Sequence, residues 1–211
     1  MSNLSTLLVL ADSRLPTGGH VHSGSVEEAV TSGLVRDLAT LRAFLRRRIR
    51  TTGLVTASVA AAVHAGTLSL AAADLEIDAR TPSPAARTAS RAQGRGLLRL
   101  ARKVWSDREW DTLGPKPHLG VAAGAVGAAS GLLSEQTAAS VVYTTMTGSA
   151  TAAQRLLALD PGDVAALTFE LAALCDLTAA EAAKELADLS DPLLDVLAER
   201  HAERDRPLFS S

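Results

Sequence analysis

The chain reads as all-α, a single-domain bundle of about eight to ten helices, and three observations carry that reading. Alanine makes up about a fifth of the 211 residues while aromatics are 3%, and alanine fills a helix at no side-chain entropy cost. Apolar residues recur at spacings of three and four. Helix-start and helix-stop signals then divide the chain at short intervals. A core with so little aromatic volume has to pack its helices closely, backbone near backbone.

In chain order, Leu4 to Leu10 is apolar and long enough for a first helix. Leu15-Pro16-Thr17-Gly18-Gly19 enforces a turn. Ser25 stands three residues before Glu28 as a capping box, with Gly33 as the stop. Asp37 caps the next helix, whose stripe is Leu38, Leu41, Leu45 and Ile49, with Arg42, Arg46, Arg47 and Arg50 opposite. The pattern resumes through Leu54, Val55, Val59 and Val63 to about Gly66, with a kink expected at Gly53.

Thr81-Pro82-Ser83-Pro84 is a break. Beyond it Arg87, Arg91, Arg95, Arg99 and Lys103 form a basic ridge, and Gly114-Pro115-Lys116-Pro117 closes the region. Gly120, Gly124, Gly127 and Gly131 then share one helix side and admit a neighbour closely. Ser140 to Thr147 is rich in β-branched residues but has no strand partner elsewhere, so it is read as helix. Asp160-Pro161-Gly162-Asp163 makes a turn, and Thr178 with Glu181 suggests a second capping box. Asp191-Pro192 opens the last helix, which runs to about Glu203. The expected organisation is a helical domain over 1–203 and a C-terminal tail over 204–211.

A net charge of -2 argues against nucleic acid as the main partner, since phosphate binding leaves a basic excess. The single Cys175 cannot make an internal disulfide or a thiolate metal site by itself. The Leu119–Gln154 stretch is built of Ala, Gly, Ser and Thr and divided by Glu135, so no membrane span is expected. With no basic n-region and long apolar stretch at the N-terminus, the expected location is cytoplasmic.

Chemistry-bearing motifs are sparse. No nucleophile elbow, P-loop, dinucleotide fingerprint or HExxH helix is present, so no catalytic residue and no cofactor is assigned. His20-Val21-His22 could bring two imidazoles to one metal from an extended backbone, as weak and transient ligands. The basic ridge could meet an acidic partner or stay solvated. Leu208 and Phe209 in the tail either fold back on the core or await a partner.

These local features converge on a resemblance. Leu15-Pro16-Thr17-Gly18-Gly19-His20-Val21-His22-Ser23-Gly24 followed by Glu27 or Glu28 is similar to the N-terminal signature of the UreF family of urease accessory proteins. So are Ser90-Arg91-Ala92-Gln93-Gly94-Arg95, Leu97 to Leu100, Pro117-His118-Leu119, Pro192 to Asp195, His201 and the closing Arg206-Pro207-Leu208-Phe209-Ser210. The likeness spans the chain in order, with two departures: His20 where the family often has an aromatic, and Ala202 where it has an acidic residue.

The resemblance implies a non-catalytic, cytosolic, all-α homodimer. It would bridge UreD (also called UreH) and the GTPase UreG on apo-urease during nickel insertion. It also implies a partner-binding set of Gly18, Gly19, His20, His22, Ser23, Arg91, Arg95, His201, Arg206, Leu208 and Phe209, with the tail directed to UreD. Two other classes stay open. A metal-dependent enzyme using His20 and His22 would need a third ligand such as Asp12 or Glu28. A nucleic-acid binder would use the Arg87–Lys103 ridge and show steep salt dependence.

Overall fold

The computed structural model describes residues 3–12, 14–17, 22–189 and 191–209. Among them the chain forms ten α-helices and no strand. They are α1 (Leu4–Leu10), α2 (Val26–Thr31), α3 (Leu38–Arg48), α4 (Leu54–His64), α5 (Leu70–Arg80), α6 (Pro84–Val104), α7 (Leu119–Ala129), α8 (Ser134–Leu157), α9 (Pro161–Ala182) and α10 (Pro192–Ala202). The helical, strand-free architecture expected from composition and periodicity is the one observed.

Local chemistry explains most of the boundaries. Asp37 accepts the Thr40 amide at 2.8 Å while the Thr40 hydroxyl accepts the Asp37 amide at 3.1 Å, a closed capping box. Ser83, Asp160 and Asp191 each cap a helix whose first residue is proline. Gly33 and Gly66 stop helices with φ of 76° and 71°.

Several local expectations are corrected. Ser25 does precede α2, but in a left-handed conformation and without a side-chain cap; its hydroxyl donates instead to the Leu194 carbonyl at 3.4 Å. The irregularity expected at Gly53 takes the form of a π-turn over Ile49–Gly53 that joins α3 to α4. Thr178 and Glu181 lie inside α9, whose buried stripe of Leu171, Cys175, Thr178 and Ala182 runs through them. Asp160 is the cap of α9 rather than part of a separate turn. Gly131 is outside α7, at φ 70°.

Helix α4 is buried on nearly every side and packs against α5, α7, α8 and α9. Small residues make this possible. A Cβ on Gly124 would stand 2.5 Å from the Ala60 carbonyl oxygen, and one on Gly120 would stand 2.9 Å from that of Thr56. The main core joins Leu41, Leu45 and Ile49 to Val142, Met146, Leu167, Leu171 and Leu197. Leu97, Leu98, Trp110 and Val126 form a second cluster, and Val59, Ile77 and Val121 a third. None of the described helices is long and apolar enough to cross a membrane. Cys175 is buried against Met146 at 3.7 Å, and burial first, then Asp176, pushes its thiol up to about 11.

Candidate functional site

The site begins with the turn ahead of α2. Gly24 and Ser25 have φ of 61° and 70°, and Gly24 suits its position twice over. It takes a left-handed conformation, and a Cβ there would lie 2.4 Å from the Arg48 guanidinium. The Ser149 hydroxyl donates to the Ser23 carbonyl at 3.0 Å, and the Glu27 amide reaches the Ser23 hydroxyl at 3.4 Å. These bonds tie the turn to α8, and the Ser25–Leu194 bond ties it to α10, which turns Glu27 inward.

Glu27 is 2% exposed, and such a carboxylate needs partners. It has three donors. His201 Nε2–H gives 2.8 Å to Oε2, the Leu208 amide 2.9 Å to Oε1, and the Phe209 amide 3.0 Å to Oε2. Burial works to raise this carboxyl, but the Leu208 amide, His201 and the Phe209 amide outweigh it and hold the group below the usual glutamate range. Beside it Arg204 donates to Glu28 at 2.9 Å. The last residues of the chain are thus clasped to the first signature-bearing helix.

The clasp divides the tail. Phe209 packs on the main core, whereas Leu208 is 78% exposed. Arg206 and Pro207 are exposed as well. His22 is half-buried and lines the cavity behind the turn. Gly18, Gly19 and His20 lie outside the described residues. The third-ligand candidates for a metal at His22 are both held by arginines, Asp12 by Arg14 and Glu28 by Arg204.

Arg91 belongs to a different cluster. It reaches Asp74 and Asp78, each at 2.8 Å, and the Lys116 carbonyl at 2.8 Å. His118, wholly buried, donates from Nε2 to Asp78 at 2.9 Å. Nε2 faces an acceptor-only carboxylate and so keeps its proton, and burial opposes a second proton on the ring. Nδ1 then accepts from the Ser90 hydroxyl at 3.0 Å, whose oxygen also accepts the Leu119 amide at 3.2 Å. The ring is therefore the neutral Nε2–H tautomer. Burial holds it below its ordinary value against the pull of Asp78, and the Arg91 charge acts in the same direction as burial. Asp74, Asp78 and His118 are the only described carboxylate, cysteine or imidazole set with metal-ligand spacing. The Arg91 guanidinium already supplies the positive charge there, and the cluster reads as a lock between α5, α6 and α7.

The rest of the ridge splits. Arg87 turns to Asp78 and the Thr81 carbonyl, while Arg95, Arg99 and Lys103 are exposed. Arg95 is flanked by two glycines with distinct contacts. A Cβ on Gly94 would meet the Pro117 carbonyl oxygen at 2.1 Å, and one on Gly96 the Thr17 carbonyl oxygen at 2.5 Å. The N-terminal loop therefore lies directly on α6 next to Arg95.

The sequence flagged both ends of the chain without indicating that they meet. Glu27 and His201 are 174 residues apart, and no local pattern pairs them. The Asp78–His118 contact was missed for the same reason.

The sequence aligns with known proteins over its given length. The UreF family model matches residues 35–172. The chain is 77% identical over 214 residues to a urease accessory protein UreF of Mycolicibacterium vanbaalenii, with both chains covered completely. It is 76% identical to one of a Mycobacterium species and 66% identical to one of Mycobacterium tuberculosis, again with complete coverage of both chains. The family match runs from just ahead of α3 into α9, and the relatives extend it over α2 and the turn ahead of it and over α10 and the tail. The chain belongs to the UreF family of urease accessory proteins, which are not enzymes.

Proposed function

We propose that this chain is a cytoplasmic assembly factor for urease, working as a homodimer that bridges UreD (UreH) and the GTPase UreG on apo-urease while nickel is delivered. The observation that carries the reading is the Glu27 clasp, which gathers Ser23, His201, Leu208 and Phe209 into one patch with an exposed Leu208. A single exposed leucine beside an exposed arginine, anchored by a buried carboxylate, is an economical docking point for an apolar pocket on a partner. In this reading the tail over 204–211 meets UreD, and the N-terminal loop with Arg95 offers a second contact.

Nickel is cargo here, and cargo must leave. A conduit with few and weak ligands suits that task, because a site that held nickel tightly would retain it. His20 and His22 are the residues that could touch the ion in transit.

The test is co-purification of the tagged chain with UreD and UreG from the same cells, full-length against a version ending at Glu203. The full-length protein should hold both partners and the truncated one should lose UreD. Failure of both forms to hold either partner would reject the assembly role.

A further inference from the structure

Arg48, the last residue of α3, is the one charged side chain in the described structure with a covered nitrogen that bonds to nothing: its Nε is fully enclosed without an acceptor. No described residue accepts a hydrogen bond from any part of its guanidinium. The side chain instead lies against Gly24, within 2.5 Å of where a Cβ would be, and lines a cavity of about 270 Å³ walled by the turn ahead of α2 and by α4, α6, α7, α8 and α10. Burial brings its pKa down to about 10, with Asp191 opposing, so the group remains charged at neutral pH.

The carboxylate whose charge acts on it does not bond to it. Asp191 is taken by Arg47 through bonds of 2.6, 2.7 and 3.0 Å and by the Thr51 hydroxyl at 3.1 Å. One turn beyond Arg48, Thr52 lines the same cavity, and its hydroxyl has no hydrogen bond to any described residue. An enclosed, unpaired guanidinium nitrogen and an open hydroxyl on the same cavity wall are a donor set waiting for an acceptor.

We infer that this cavity is a binding site for a small, planar, singly charged oxyanion of the carboxylate type, held by the Arg48 guanidinium and the Thr52 hydroxyl. The guanidinium fork matches two coplanar oxygens. Arg48 is the one cation of this wall with an enclosed nitrogen left unpaired, and the carboxylates of Asp191 and Asp195 on the same wall oppose a second negative charge. Gly24 is then explained as the residue that makes room for the guanidinium. The inference stands apart from the urease role, since it rests on the cavity alone.

The experiment titrates purified full-length protein with sodium formate and with sodium bicarbonate, following Tm against sodium chloride and sodium sulfate at matched ionic strength. A ligand that binds only the folded state raises Tm in a saturable way. Formate or bicarbonate should do so beyond chloride and sulfate. Arg48→Met should abolish the saturable part, and Thr52→Val, which leaves the helix surface nearly unchanged, should weaken it about tenfold, the loss of one charge-assisted hydrogen bond. A wild-type protein that responds to formate and bicarbonate no more than to chloride would overturn the site. An equal response in both variants would overturn it too, and a preference for sulfate would overturn the planar, singly charged ligand.

Discussion

Two histidine–carboxylate pairs of nearly equal length hold this molecule at different places. His201 lies 2.8 Å from Glu27 and His118 lies 2.9 Å from Asp78. Around His118, both ring nitrogens, the Ser90 hydroxyl and two arginines are committed to neighbouring helices. Around Glu27, two of the three donors are backbone amides of a six-residue run ending at Phe209. The first pair is woven into the scaffold from several sides. The second secures a short segment that can leave without unpacking a helix, so its loss should affect the surface more than the fold.

The comparison can be broken from either side. The largest effect should come from Gly94→Val, which drives side-chain atoms into the Pro117–His118 backbone. A loss of about 3 kcal/mol or more is expected, seen in chemical unfolding as a large fall in midpoint or as insoluble protein. His118→Ala comes next. It strands Ser90 and removes one partner from Asp78, at a cost of about 2–3 kcal/mol, measured in the same way.

Glu27→Gln should cost about 1–2 kcal/mol globally, because one oxygen still accepts. Its larger signature is local, with faster proteolysis and amide exchange confined to the residues after Ala202. A global collapse as severe as that of His118→Ala would show that the two pairs are equivalent after all.

Acid separates the pairs again. His118 is held below its ordinary 6.5, so the stability of the neutral ring is complete above 6.5 and is lost as pH falls through the lowered value. Glu27 is held below its ordinary 4.5, so the clasp persists until the pH drops well into the acid range. Unfolding midpoints measured against pH should therefore fall first by a step that is missing in His118→Gln. Release of the tail should follow at lower pH. The smallest effect belongs to Arg42→Ala, which removes a half-exposed pair with Glu170 and should change stability by less than about 0.5 kcal/mol.

What the sequence made legible follows the range of the interactions. Asp37 and Asp191 mark helix starts because their partners lie within three residues, and Pro192 because its fixed φ suits a first helical position. The glycines at 120 and 124 announced close packing, since only a small residue fits at such spacing. The Ser25–Glu28 and Thr178–Glu181 boxes were misleading for a common reason. The pattern is local, but the tertiary setting decided the outcome: Ser25 is drawn to the Leu194 carbonyl, and Thr178 is buried in a helix that continues. The site residues were legible as separate motifs, and their meeting was not. Glu27 with His201, Asp78 with His118, and Gly24 with Arg48 are all contacts between distant segments, which spacing cannot encode.

In the proposed role the exposed end of the clasped tail, and not the exposed apolar face of α9, meets UreD. Leu208 and Phe169 are 78% and 82% exposed, so a charge at either position should leave the fold intact. The decisive measurement is co-purification of UreD with Leu208→Glu and with Phe169→Glu, each in the full chain. UreD lost from the Leu208→Glu protein and kept by the Phe169→Glu protein is the predicted result; UreD kept by Leu208→Glu would contradict it.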